Sequence, residues 1–276
     1  MHCIDHPTFA EFLRVCEEFL LRHESEHNLI LGTRVEADSN LVSIHTENSV
    51  VGAAVLHATE RSLLSKMDEA AIHTLIDFIN ERNILFESMV GPIESSECFV
   101  ESWRTSNAIG AKLLLHTGVY ELSEVRFPEM DGRSLIPMDA VKRDVAFQYL
   151  LGFLADCFPE MDDPKSAARK LLDRHSQNRT LFFRQGPDDS APVSMAARAR
   201  QSRNGATISL VYTPPGLRRQ GHASRMVAAL SDRCLREGKK FCSLFADLKN
   251  PTSNAIYQEI GYRKIGESKH FKFLWP

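Results

Sequence analysis

Residues 208–224 constrain the fold and chemistry of this chain more than any other stretch. An apolar run typical of a β-strand, 208–213, ends in a Pro-Pro-Gly turn, and a basic loop then leads into an amphipathic helix. Because a helix N-terminus presents unpaired backbone N–H groups and the positive end of the helix dipole, this junction suits a phosphate-bearing ligand. The alternative is an ordinary strand–helix connection with two solvated arginines, since short glycine motifs are weak signals.

The loop has the spacing Arg218-x-x-Gly221-x-Ala223. Gly221 removes a side chain where backbone N–H groups must approach an anion, and Ala223 is small for the same reason. Arg218 and Arg219 can add charged contacts to phosphate.

Length and composition indicate a globular protein of about two domains. Of the 276 residues, 43% are hydrophobic and 25% charged, and no apolar run is long enough to span a bilayer. The N-terminal residues lack the basic and apolar regions of a signal peptide. The six cysteines are scattered without a CxxC pair, so we expect reduced thiols in a cytoplasmic protein.

Charge is distributed unevenly, although the net charge is only −3. Residues 1–127 contain 9 basic and 20 acidic residues, whereas residues 128–276 contain 24 and 16. Such a split indicates different partners for the two halves, or docking of one on the other. No nucleic-acid motif or Lys/Arg block accompanies the basic half, which favours a small polyanionic ligand over nucleic acid. We expect no membrane partner.

A short polar run with Pro and Gly at 127–133 predicts a domain boundary, with domains at 1–127 and 133–276. Hydrophobic periodicity predicts similar element orders in both halves. The first half is predicted to contain helices at 8–24, 66–82 and 95–104 and strands at 41–45, 50–57, 85–90 and 113–122. The second is predicted to contain helices at 139–154, 163–176, 221–237 and 251–260 and strands at 180–185, 191–200, 206–213, 241–246 and 262–273. We infer two related units, of which the first is a degenerate copy, because residues 58–63, matched to the loop, lack its glycine and clustered arginines.

A second motif follows at 247–262. Asn250 suits a helix N-cap, Pro251 the first helical position and Gly261 the C-terminal stop. Tyr257 lies about two helical turns beyond Asn250, so both side chains could face one ligand.

These two motifs, in this order and separated by a strand, resemble those of the GNAT superfamily of N-acetyltransferases. The matching residues are Arg218, Gly221, Ala223, Asn250, Tyr257, Gly261 and Tyr262. The resemblance covers residues 133–276 well and residues 1–127 only through element order. It implies an α/β (α+β) fold with two tandem GNAT-like units, each a mixed, mostly antiparallel sheet flanked by helices.

The resemblance also implies acetyl-CoA as co-substrate, no metal, and a small-molecule or peptide amine as acceptor, which attacks the thioester directly. Tyr257 would be the general acid for the leaving thiolate, although it could instead be a buried structural tyrosine. Residues 210–213 would pair with the pantetheine arm, which Asn250 would also contact, and residues 218–224 would hold the pyrophosphate. The implied cofactor-binding residues are Leu210, Val211, Tyr212, Thr213, Arg218, Arg219, Gln220, Gly221, His222, Ala223, Ser224 and Asn250.

One family feature is missing, because residues 208–213 contain no carboxylate to act as general base. An amine of pKa about 10 is mostly protonated at neutral pH, so some group must accept a proton. A water relay is one possibility, and the candidate side chains are Glu160, Asp162, Asp163, His175 and His270.

A competing motif is HExxH at His23–His27, which is typical of zinc proteases. It lies at the polar end of its helix, Glu26 places a charge inside it, and no third ligand follows, so we interpret it as a chance match. A CoA-binding sensor or scaffold without catalysis remains open, as does a basic nucleic-acid-binding module. We also hypothesise that the acidic first half forms one wall of the acceptor site or docks on the basic half.

Overall fold

Strands and helices follow one another in the same order twice along the computed structural model, which describes residues 1–33, 39–186 and 191–275. The first run is β1 (His2–Asp5), α1 (Phe9–Leu21), α2 (Asn28–Leu31), β2 (Asn40–His45), β3 (Val50–Leu56), β4 (Arg61–Leu64), α3 (Glu69–Glu81), β5 (Ser88–Pro92), α4 (Ile93–Asn107) and β6 (Gly110–Leu122). The second run is β7 (Leu135–Pro137), α5 (Arg143–Cys157), α6 (Pro164–Asn178), β8 (Leu181–Arg184), β9 (Ser194–Gln201), β10 (Gly205–Tyr212), α7 (His222–Arg236), β11 (Phe241–Asp247), α8 (Pro251–Ile260) and β12 (Arg263–Leu274).

The repeat confirms the predicted class of two α/β units. Four short elements, β1, α2, β4 and β7, were not predicted. Strand β4 corrects the predicted alignment of the two halves. Because residues 61–64 form β4, the predicted match of the glycine loop to residues 58–63 is wrong, and the equivalent segment is the turn 65–68 between β4 and α3.

Two compact units divide the chain. Unit 1 comprises Met1–Tyr120, Phe245–Asn250 and Lys264–Pro276, and unit 2 comprises Glu121–Leu244 and Pro251–Arg263. The C-terminal segment therefore lies in unit 1, whereas the predicted domain 133–276 includes it with the second half. The predicted division of the covalent chain at 127–133 stays a prediction.

Unit 1 contains a sheet of order β1-β2-β3-β4-β5-β12-β6. Strand β4 is parallel to β5, while β12 is antiparallel to β5, from Ser268↔Pro92 to Lys272↔Ser88. The reason β12 belongs here is apolar packing, since Phe273 is buried among Phe86, Phe99 and Trp103.

Unit 2 contains a sheet of order β11-β10-β9-β8-β7, in which only the β10–β11 pair is parallel among the strand pairs described. Helices α5 and α6 pack with β8, β9 and β10 around an apolar core that includes Leu150, Leu172 and Phe183. Helix α7 buries Met226, Val227 and Leu230 completely. Both units thus have the predicted mixed, mostly antiparallel sheet flanked by helices.

Among the described residues, no helix is both long and apolar enough to cross a membrane.

Candidate functional site

Strand β10 is interrupted by a β-bulge at its C-terminal end. Ser209 pairs with Ala197 of β9, but the next pair is Tyr212 with Met195, so β10 carries one extra residue. Leu210, within the bulge, has a φ of +53°, which a non-glycine residue rarely adopts and which costs about 1–3 kcal/mol. Because a bulge leaves one residue unpaired in the ladder, backbone polar groups of β10 become available for a ligand here.

Parallel pairing between β10 and β11 is short. It runs from Gly205↔Phe241 to Thr207↔Ser243, where the two hydroxyls lie 3.0 Å apart, although β10 continues to Tyr212. Strand β10 therefore extends five residues beyond its last parallel pair. An extended ligand with amide groups can bind to such a strand by backbone hydrogen bonds.

The loop after β10 has two residues in the left-handed region, Arg219 with φ +62° and Gly221 with φ +74°. Helix α7 begins directly afterwards at His222, and no side chain caps its first N–H groups. Left-handed residues in a tight loop turn successive N–H groups toward one point, and the helix dipole adds positive potential there. The helix N-terminus thus follows a left-handed loop without a side-chain cap, while anion binding at this point stays a prediction.

Arg218 has a different environment from the neighbouring arginine. Its Nε donates to the carbonyl oxygen of Thr213 at 3.0 Å, and its Nη2 donates to Asp156 Oδ2 at 2.5 Å. The guanidinium also lies 5.9 Å from the centre of the Tyr212 ring. The Arg218 side chain thus braces the loop against α5, whereas the Arg219 side chain is exposed.

Two buried polar atoms at the ends of the loop have no hydrogen-bond partner within the described part of the chain, Thr213 Oγ1 and His222 Nδ1. Burial, followed by the charges of Arg133, Arg184 and Arg225, lowers the pKa of His222, which keeps its ring neutral. A buried polar atom left unpaired costs about 1–3 kcal/mol, so such atoms are expected where a ligand completes the site. The residues at the loop fit a polar, anionic group.

Tyr257 lies in α8 and is 9% exposed. Burial raises the pKa of its phenol well above the usual value, with a further contribution from the nearby Cys157 thiol of α5. The hydroxyl therefore stays protonated at neutral pH, as a proton donor requires. Its ring packs edge-on against Tyr262 at 6.1 Å.

Asn250 directly precedes α8, and its N–H donates to the Asp247 carbonyl at 3.0 Å. The predicted bounds of this helix are confirmed. The N-cap hydrogen bond and the cofactor contact of Asn250 stay predictions.

Several of the predicted candidates for the general base have structural roles. Asp163 accepts the N–H of Ser166 and so caps α6. His175 is 2% exposed, contacts Thr180 Oγ1 at 2.7 Å through Nδ1, and has a pKa lowered to about 4 by burial. His270 lies in β12 of unit 1, and burial lowers its pKa to about 4 as well. Glu160 and Asp162 are exposed between α5 and α6.

In unit 1, the strand pair and the turn that are equivalent to the β10–β11 pair and the glycine loop of unit 2 are filled by contacts within the protein. Leu64 at the end of β4 packs so tightly on β5 that a Cβ added to Gly91 would lie 2.8 Å from its Cβ. In the turn before α3, the N–H of Lys66 donates to His27 Nε2 at 2.8 Å and that of Met67 to Ser95 Oγ at 3.0 Å. The N–H groups of this turn are thus bonded to side chains of the protein.

The same contacts give a structural role to His27, the second histidine of the HExxH motif. The other ring nitrogen of His27, Nδ1, lies 2.9 Å from the Leu20 carbonyl oxygen, so both nitrogens bind protein atoms. Burial lowers the pKa of His27 to about 4, which fixes a neutral ring that donates to Leu20 and accepts from Lys66. His27 therefore has a structural role.

Three residues near the loop or Tyr257 were not predicted from the sequence: Asp156, Cys157 and Arg225. No spacing rule relates α5 to a loop some 60 residues downstream, so only the tertiary fold could reveal Asp156 and Cys157. Arg225 follows Gly221 by four residues, one helical turn, and that spacing was the available signal.

Comparison with known proteins agrees with these features. Residues 186–271 match the model of the FR47-like protein family. No curated protein matches the chain in sequence.

Solved structures share the fold over nearly the whole chain. An acetyltransferase of the GNAT family from Colwellia psychrerythraea is 9% identical with a TM-score of 0.56, covering 99% of this chain and 100% of its own. A GCN5-related N-acetyltransferase from Sphaerobacter thermophilus is 13% identical with a TM-score of 0.61, with coverages of 99% and 96%. A tandem GNAT protein from the clavulanic acid biosynthesis pathway is 10% identical with a TM-score of 0.57, with coverages of 99% and 98%. At these identities the likeness is one of fold.

Together, these comparisons show that residues 186–271 match the FR47-like family model and that the chain has the fold of GNAT acetyltransferases, including a tandem GNAT protein.

Proposed function

We propose that this protein is an N-acetyltransferase that uses unit 2 to transfer the acetyl group of acetyl-CoA to a primary amine. The observation that carries the proposal is the bulged strand β10 followed by the left-handed residues Arg219 and Gly221 at the N-terminus of α7. A strand edge that can pair with an extended amide chain, followed by a nest for phosphates, matches the chemistry of CoA.

The pyrophosphate would be held by backbone N–H groups of residues 219–224, with Thr213 and His222 as additional polar partners. Arg219 offers an exposed charge, while Arg218 acts mainly by bracing the loop. The pantetheine arm would pair with backbone groups of residues 210–213.

Transfer requires three actions from the protein. The site holds the thioester so that the amine attacks its carbonyl carbon directly. A backbone N–H of the bulged segment donates to the carbonyl oxygen, whose negative charge grows in the transition state. As the C–S bond breaks, Tyr257 donates its proton to the departing sulfur, because a thiolate with a parent pKa of about 8.5 is a better leaving group once protonated. The proton lost by the attacking nitrogen passes to water, and the Tyr257 phenolate takes a proton back from water.

The acceptor we propose is a cationic amine. Asp156 at the end of α5 contacts the cofactor loop through Arg218, and the connection from α5 to α6 carries Glu160, Asp162 and Asp163. Acidic side chains near the site would attract an ammonium group. We also keep the expectation of a cytoplasmic protein, which the six free cysteines support.

The experiment that tests the function measures thiol release from acetyl-CoA with a panel of acceptors. The panel contains polyamines, aminoglycoside-type and simple primary amines, amino acids and peptides, and anionic and neutral acceptors as controls. We expect turnover with a cationic amine and an amide product 42 Da heavier by mass spectrometry, the mass of one added acetyl group. Saturable CoA binding without turnover on any amine would contradict the proposal.

That outcome would support a second candidate, a CoA-binding sensor or scaffold without catalysis. The observation that favours it is the absence of a carboxylate in residues 208–213. Such a protein would bind acetyl-CoA and CoA with similar affinity and would respond to the ligand without consuming it.

A further inference from the structure

Arg225 joins the proposed cofactor loop to the segment that connects the two halves of the chain. It lies one turn into α7, and its Nη1 donates to the carbonyl oxygen of Gln220 at 2.6 Å. Its Nε donates to the carbonyl oxygen of Glu129, also at 2.6 Å. One guanidinium therefore bonds both the loop and residue 129, and both partners are fixed backbone atoms.

The contact between Arg225 and the loop depends on the absence of a side chain at Gly221. A Cβ added at Gly221 would lie 2.9 Å from Arg225 Nη1, closer than a real Cβ approaches such an atom. The residue thus combines a positive φ with close packing of a guanidinium on its backbone. Arg225 lies directly against the turn that aims the N–H groups of the loop.

The connecting segment is itself anchored beneath α7. Arg184 at the end of β8 is fully buried, and its Nη2 donates to Asp131 Oδ1. The same carboxylate accepts the N–H of Arg133 at 3.2 Å, and Arg133 Nη1 lies 3.6 Å from Asp131 Oδ2. Because a buried guanidinium without its counter-charge is costly, the Arg184–Asp131 pair holds this segment firmly.

We propose that Arg225, with the Arg184–Asp131 pair behind it, forms a clamp that positions the cofactor loop for CoA. The clamp consists of Arg225, Glu129, Asp131 and Arg184, and its members are positioning residues that do not touch the reacting atoms. This inference rests on the proposed function of the loop. It assigns to the connection at 129–131 a part in cofactor binding.

The physical reason is preorganisation. A loop with Arg219 and Gly221 both at positive φ is one of many conformations open to a short polar segment. If the free protein samples the others, only a fraction of the molecules is competent to bind CoA. The apparent affinity is then the intrinsic affinity multiplied by that fraction. Two hydrogen bonds from one rigid guanidinium select the competent conformation before the ligand arrives.

The test compares Arg225→Ala with Arg236→Ala, which removes an exposed arginine from the other end of the same helix. We expect Arg225→Ala to weaken CoA binding about tenfold by calorimetry, because the loop loses its preorganisation. Turnover at saturating acetyl-CoA and the melting temperature should match those of Arg236→Ala. Arg225→Lys should recover only part of the CoA affinity, since an ammonium lacks the separated N–H groups with which the guanidinium reaches two carbonyl oxygens.

An unchanged CoA affinity in Arg225→Ala would overturn the inference. The inference would also be overturned if Arg225→Ala lost affinity and, relative to Arg236→Ala, lost as much free energy of unfolding as free energy of binding. Failure of the wild-type protein to bind CoA would instead refute the proposed function. Amide hydrogen exchange of the ligand-free protein tests the clamp independently of CoA. Exchange at Gly221 and His222 should be faster in Arg225→Ala than in wild type, and equal rates would contradict the clamp.

Discussion

Two residues at positive φ, Arg219 and Gly221, shape the loop of unit 2 that we propose to bind the pyrophosphate. The sequence predicted the glycine, because a motif spacing marks it, but not the arginine. An arginine in the left-handed region cannot be anticipated from residue preferences, since the conformation is imposed by the surrounding chain. Leu210 is a similar case, because nothing in an apolar run indicates where a bulge will fall.

Substitution of Gly221 by alanine tests this geometry. A left-handed alanine costs about 1–2 kcal/mol, and its Cβ would displace the Arg225 guanidinium, so we expect CoA affinity to fall about tenfold or more. Gly216→Ala is the matched control, because Gly216 lies in the same loop and its Cβ would meet no atom within 4 Å. Equal affinities for the two variants, measured by calorimetry, would refute the role of Gly221.

Substitution of Tyr257 by phenylalanine tests the proton donor. We expect kcat to fall about a hundredfold while the dissociation constant for CoA is unchanged, because the hydroxyl acts on the leaving sulfur. Tyr262→Phe is the control. It removes a buried hydroxyl that contacts Ser231 Oγ at 2.8 Å, and should cost about 1 kcal/mol of stability without slowing transfer. Unchanged turnover in Tyr257→Phe would remove this residue from the mechanism.

At the scale of elements, the N-termini of α3 and α7 occupy equivalent places after β4 and β10 but have opposite environments. The α7 terminus follows a glycine without a side-chain cap, whereas α3 has an N-cap, Asp68, that accepts the N–H of Ala71 at 2.9 Å. Together with the bonds from the Lys66 and Met67 N–H groups, this cap fills the positions that an anion would need. The sequence showed that unit 1 lacks the motif; the structure shows side chains in its place.

Substitution of His27 by alanine tests that difference. The change leaves the partly buried Lys66 N–H without its acceptor and removes a buried ring, so we expect a loss of roughly 3 kcal/mol in the free energy of unfolding. CoA affinity should not change. His23→Ala removes the exposed histidine of the same motif and should cost under about 1 kcal/mol. Loss of CoA binding in folded His27→Ala protein would contradict the structural role.

Predictability from sequence follows the length and periodicity of each element. Helices α7 and α8 were predicted closely, because an amphipathic face and end signals such as Pro251 and Gly261 mark their bounds. The missed strands β1, β4 and β7 have three or four residues each, too few for a period to be recognised. The missed site residues of α5 depend on tertiary packing that no local pattern encodes.

At the scale of the whole molecule, the sequence did not reveal that β12 belongs with unit 1. Chain order alone places it with unit 2, and its pairing with β5 joins residues about 180 positions apart. What decides the pairing is the aromatic packing of Phe273 in the core of unit 1. Long-range pairing of this kind depends on the whole fold, whereas class and element order depend on local periodicity.

Buried histidines predict how stability depends on pH. Burial lowers the pKa values of His27 and His175 from 6.5 to about 4, so between these values the unfolded chain binds more protons than the folded one. Stability is therefore retained above pH 6.5 and lost as the pH falls toward 4, at up to about 1.4 kcal/mol per pH unit for each histidine. Denaturant unfolding of wild type and His175→Gln across this range checks the prediction. The variant should show the shallower slope, and equal slopes would contradict it.

We propose that each chain has one site for CoA and that this site lies in unit 2. Calorimetric titration of the purified protein with CoA tests it most directly, with Gly221→Ala and His27→Ala titrated in parallel. We expect one CoA per wild-type chain, strongly weakened binding in Gly221→Ala and unchanged binding in folded His27→Ala. Two CoA molecules per chain, or binding that persists unchanged in Gly221→Ala, would contradict it.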